Sequence, residues 1–156
     1  EFPWVTTTCS GTHVLSLELK DMAKLPQVAA IIEKVQLVLK LFWGRERWPR
    51  RRLREAIYTR TGLCFGLYRA KVTRFAGKFR EMQRLLRVKE DLQGIVVTAE
   101  YYARQKFSTR GRREEDLQDG EVLDRDIGST VRAILLDEEA FWKPLTVILH
   151  VAMPLI

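Results

Sequence analysis

Between Pro26 and Trp43, apolar residues recur at helical spacing. Val28, Ile31, Ile32, Val35, Leu39 and Phe42 share one face. Leu37, Val38 and Leu41 widen that stripe, so the helix is expected to be buried on most sides. Pro26 suits a first helical position and Gly44 ends the run. Upstream, "VLSLELKDM" fits two templates. Leu15, Leu17 and Leu19 alternate like a strand, whereas Leu15, Leu19 and Met22 fit a helix.

Downstream, Pro49 marks the start of a second helix in "RERWPRRRLREAIYTR". "TGLCFGLYRAKV", with two glycines among β-formers, reads as a loop or one short strand. Thr73 is the predicted N-cap of the next helix. There Phe75, Phe79, Met82, Leu85 and Leu86 form an apolar face, continued by Val88, Leu92 and Ile95. Arg80, Arg84 and Arg87 recur about one turn apart on another face. Thr98 caps a short helix in "TAEYYARQKF". A charged connection of more than 20 residues, from Ser108 to Ser129, follows. Ser129 is then read as the cap of "TVRAILL". Asp137 is read as the cap of "EEAFWKPLTVILHVAM", with Glu138 and Glu139 in the favourable first turn.

The pattern predicts a mainly α protein: an irregular bundle of about five to seven helices with little or no sheet. It forms a single helical unit, 1–156. Within it lie an apolar helical segment, 1–44, a basic helical segment, 45–97, a polar linker, 108–128, and C-terminal helices, 129–156.

Charge changes this picture most. Residues 1–44 balance, whereas residues 45–89 carry fifteen Lys/Arg against three Glu, and residues 90–156 carry eight basic against thirteen acidic groups. A basic block of this kind predicts an anionic partner: nucleic acid, an acidic protein or an anionic membrane surface. Trp43, Trp48, Phe65, Tyr68 and Phe75 interleave with the cations, as in proteins that stack unpaired bases while Arg holds the backbone. A solvated face, or internal pairing of the block with the acidic segment 114–126, accounts for the same charge.

Other chemistry is sparse. "GLCFG" lacks the Lys-Ser/Thr of a phosphate loop, and two histidines, His13 and His150, leave few catalytic constellations. Cys9 and Cys64 have neither zinc spacing nor a disulfide framework, which predicts a reducing compartment. Cys9 and His13, four apart, are either a structural pair or two of the ligands of a metal. The start, "EFPWVTTTCSG", has no signal-peptide pattern. The end, "AFWKPLTVILHVAMPLI", falls short of the roughly 20 clean apolar residues of a spanning helix. An apolar run with no polar cap predicts that the chain is a fragment.

Three stretches, in order, carry a resemblance: "CSGTHVLSLELKDMAKLPQVAAIIEKVQLVLKLF", "LYRAKVTRFAGKFREMQRLLRVKEDLQGIVV" and "LLDEEAFWKPLTVILHVAMPL". Together they resemble the hAT superfamily of DNA transposases, over nearly the whole chain. A Cys/His motif there leads into a leucine-rich helix, a "TRW"-type motif opens a helix with an "LRLKxxL" stretch, and an "FW" element precedes a helix ending in Pro. The resemblance implies a stretch that follows the second catalytic Asp of an RNase H-like core and runs into its helical insertion domain. The acidic triad would lie outside it, so no catalytic residue is assigned and the fragment is expected to be inert alone. No cofactor is expected in it; a divalent metal belongs to a full-length active parent. The location implied for a eukaryotic relative is nuclear.

Arg74-Phe75 falls where the family has an Arg-Trp pair beside a flipped base, with Phe in place of Trp. On this reading the partner is DNA. Arg69, Lys71, Arg74, Lys78, Arg80, Arg84 and Arg87 contact phosphates, and Phe75 sits against a base. The alternative is a non-enzymatic helical subunit of an assembly. Its apolar helices 26–43 and 141–156 would pack on other chains, and its basic middle would meet an acidic protein or membrane-complex surface.

Overall fold

A computed structural model describes residues 11–44, 47–70, 75–104 and 127–153. The chain is mainly α: eight α-helices and no strand are present among the described residues. They are α1 (Gly11–Lys24), α2 (Pro26–Trp43), α3 (Arg47–Thr61), α4 (Phe75–Arg87), α5 (Lys89–Val96), α6 (Ala99–Ala103), α7 (Ile127–Leu136) and α8 (Lys143–Ala152).

α2 is the centre. It packs against α1, α3, α4, α7 and α8, and buries Val28, Ile31, Ile32, Val35, Val38, Leu39, Leu41 and Phe42. Each such side chain removed from water contributes about 1.5–3 kcal/mol. The wide stripe is thus spent inside the chain's own fold, so 26–43 offers a partner little apolar surface. α8 differs, since Val147 and Val151 stay exposed.

The ambiguous stretch before Pro26 is helical. In α1, Leu19 is buried and Met22 half-buried, while Leu17 faces solvent, which is the helical and not the alternating pattern. Gly44 ends α2 by close approach. A Cβ there would stand 2.4 Å from the Lys40 carbonyl oxygen, so no larger residue fits without a shift.

The stretch from Phe75 to Val96 is two helices rather than one. Val88, at φ −109° and ψ 19°, breaks them. Its N–H donates to the Leu85 carbonyl and its own carbonyl accepts from Leu92 N–H, so the break costs few hydrogen bonds. The apolar stripe runs on through it, with Leu85, Val88, Leu92 and Val96 all buried. This division helps to bring the helix count above the expected five to seven.

Two cap expectations hold. The Thr98 side chain accepts from Tyr101 N–H, and Asp137 from Ala140 N–H at 2.7 Å. Ser129 is a correction: it lies within α7, which already includes Ile127 and Gly128, and not ahead of the helix. Thr73 lies outside the described residues.

After Asp137 the chain makes one π-helical turn, Glu138–Trp142, before α8. Proline at 144 has no N–H to give the Ala140 carbonyl four residues back. That carbonyl instead accepts from Lys34 Nζ of α2 at 3.0 Å. Trp142 is fully buried, and its indole N–H donates to the Leu135 carbonyl at 2.8 Å. Gln93 Nε2 donates to the same oxygen at 3.0 Å. Two side chains therefore close the C-terminus of α7, whose last carbonyls have no partner in the helix.

Candidate nucleic-acid interface

α3 ends at Gly62, whose φ of +69° is open to glycine at little cost. Residues 63–70 follow with no regular secondary structure. Two anchors hold this segment. Leu67 is buried, and Ala70 N–H donates to Glu81 Oε1 at 2.7 Å. Glu81 is itself buried, and its second oxygen accepts from Gln36 Nε2 of α2 at 2.7 Å. One interior carboxylate thus ties the segment to α4 and α2.

α4 is buried over most of its circumference. Phe79, Glu81, Met82 and Leu85 face inward, leaving Arg80, Gln83 and Arg87 on a narrow exposed arc with Arg84 at its edge. Phe65 comes up beside that arc. The guanidinium of Arg84 lies 5.1 Å from its ring centre and that of Arg87 4.8 Å. The negative face of the ring attracts both cations and fixes their positions. Tyr68, Arg80, Gln83, Arg84, Leu86 and Arg87 line an open groove of about 600 Å³.

Arg80, Arg84 and Arg87 of the expected phosphate contacts therefore come together. Arg69 is exposed on the 63–70 segment and is not among the side chains that line the groove. Lys78 does not join them. It is half-buried and two residues from Arg80, about 200° around the helix. Lys71, Arg74 and the Phe75 side chain lie outside the described residues.

The basic run on α3 is partly neutralised within the fold. Arg51 and Arg52 both donate to Glu55, and Arg52 also pairs with Glu100 of α6. The hydrogen bond from Arg51, then that from Arg52, holds the Glu55 carboxyl below its ordinary range. Arg50 stacks on Trp43 at 4.7 Å. Arg60 forms a forked pair with buried Asp91. That hydrogen bond raises the Arg60 pKa above its ordinary value. Arg54 remains exposed beside Gly66. Pairing with 114–126 falls outside the described residues.

Sequence reasoning singled out the charges of α4 and noted Phe65 and Tyr68 only as aromatics among cations. It missed Gln83 and Glu81. A Glu flanked by Arg80 and Arg84 reads as a surface ion-pair member, and no local signal marks it as interior. Among the described residues no three metal-capable side chains converge, and no helix is long and apolar enough to cross a membrane. Cys9 and the side chain of His13 lie outside them. Compared with protein-family models, with curated proteins and with solved structures, the chain matches none of them.

Proposed function

We propose that the chain is a piece of a hAT-type transposase, or of a protein derived from one, that binds DNA through its basic middle and does no catalysis alone. One observation carries the DNA-binding part: Arg80, Arg84 and Arg87 are gathered on one exposed arc with no carboxylate partner among the described residues. Arg51, Arg52, Arg60 and Lys89, by contrast, each pair with a carboxylate. Leaving three guanidiniums side by side incurs mutual repulsion, which a phosphate backbone relieves. The transposase part rests on the order of the three sequence stretches.

The test is binding to a fluorescent duplex across a salt titration. Neutralising three phosphates makes log K fall with log salt at a slope near −2.7. The Arg80→Gln/Arg84→Gln/Arg87→Gln variant should flatten that slope towards zero while keeping its helical circular dichroism. An unchanged slope in a folded variant refutes the assignment of the interface to α4. Absence of any binding at low salt favours the second reading, a helical interaction subunit. The exposed apolar pair Val147 and Val151, one turn apart on α8, is the feature that supports it.

A further inference from the structure

We propose that the groove between α4 and the 63–70 segment seats one unpaired nucleotide of a single strand. Its base lies on Tyr68 and its flanking phosphates on Arg80, Arg84 and Arg87. This rests on the DNA-binding reading and specifies its ligand.

The two aromatic side chains beside the groove have different roles. Phe65 is already engaged, since its ring holds the guanidiniums of Arg84 and Arg87. It acts as a positioning residue. Tyr68 is 42% exposed and has no hydrogen-bond or ring partner among the described residues. An aromatic ring left open at the wall of a cationic groove offers a base a face to stack on. A groove of about 600 Å³ is within the range of small-ligand sites. A duplex keeps its bases stacked inside and presents phosphates to such a surface, so it could use the arginines but not Tyr68.

Gln83 adds a polar group. Its amide N–H₂ contacts only the Met153 sulfur at 3.5 Å, a weak acceptor. An amide offers both donor and acceptor, so it can pair with the edge of a base held on Tyr68. Leu86 supplies apolar wall beside it. The segment that carries Tyr68 is fixed on either side of it by Leu67 and by the Ala70–Glu81 hydrogen bond, so the ring is held ready rather than ordered on binding.

The experiment uses fluorescence anisotropy with three labelled probes of equal length: oligo(dT), an abasic strand with the same phosphates, and a duplex. Oligo(dT) should bind about tenfold more tightly than the abasic strand, within the range that one stacked base contributes. Tyr68→Leu should erase that difference, and Tyr68→Phe should keep it. Arg80→Gln with Arg84→Gln should weaken all three probes together. The proposal is overturned if the abasic strand binds as tightly as oligo(dT), or if Tyr68→Leu costs oligo(dT) less than twofold. If duplex binding persists in that case, the DNA-binding reading stands and only the nucleotide seat falls. If no probe binds, both fall.

Discussion

Replacing Glu81 with Ala tests how the groove is built. The buried carboxylate accepts from Ala70 N–H and from Gln36 Nε2, each at 2.7 Å. Hydrogen bonds to a charged acceptor contribute about 1.5–3 kcal/mol each. Removing the carboxylate strands both donors but also relieves its own desolvation. The net loss for Glu81→Ala should be about 2–4 kcal/mol in a urea melt followed by circular dichroism. Glu81→Gln should cost under about 1 kcal/mol, because its amide oxygen still accepts from Ala70 and the Gln36 amide can turn to accept from its nitrogen. The Ala variant should also loosen the 63–70 segment, seen as faster amide exchange at Ala70. If Glu81→Ala costs less than about 1 kcal/mol, the tie between segment and core is not what holds the groove. If Glu81→Gln is as damaging as Ala, negative charge rather than hydrogen bonding is the cause.

Trp142→Phe removes one of two donors to the Leu135 carbonyl and should cost about 2 kcal/mol, from a small cavity and a lost hydrogen bond. Combined with Gln93→Met it leaves that carbonyl orphaned, and the pair should exceed the sum of the singles by about 1 kcal/mol in a double-mutant cycle; strict additivity would contradict the shared cap. The Tyr101 hydroxyl donates to the Gly128 carbonyl at 2.6 Å, and burial pushes its pKa well up. The folded protein holds that proton when the unfolded chain has begun to lose it. The contribution is therefore full below about pH 10 and lost as pH rises further. Tyr101→Phe should be less stable at neutral pH and fall less steeply above pH 10 than wild type, and parallel alkaline melts would refute this. Gly44→Ala should lower the melting temperature by several degrees, because its methyl meets the Lys40 carbonyl; an unchanged melt would show that the end of α2 relaxes freely.

Much of the helical content was open to reading from local pattern. The α2 stripe, the Pro26 start, the Gly44 end and the Thr98 and Asp137 caps follow from neighbours within four or five residues, which a sequence displays directly. The basic character of the middle third was equally plain, and so was the grouping of Arg80, Arg84 and Arg87, which helical periodicity alone dictates. Lys78 shows the limit of counting charge: its place in the basic run says nothing of the arc on which it falls until the buried face of α4 is known.

Other features required the chain to meet itself. Whether α2's wide apolar surface faced a partner or its own chain depended on five other helices closing around it. The buried Glu81 depends on Gln36, 45 residues away, and on the backbone of a segment with no regular structure. Lys34 fills the acceptor that Pro144 vacates from 106 residues away. Which arginines of α3 were already spent depended on Glu100 and Asp91 arriving from other helices. Sequence determined the helices and the sign of the charge, since both are sums over near neighbours. Only the tertiary structure decided which charges were left unpaired and which aromatic ring stayed open, because both are contacts between residues far apart in the chain.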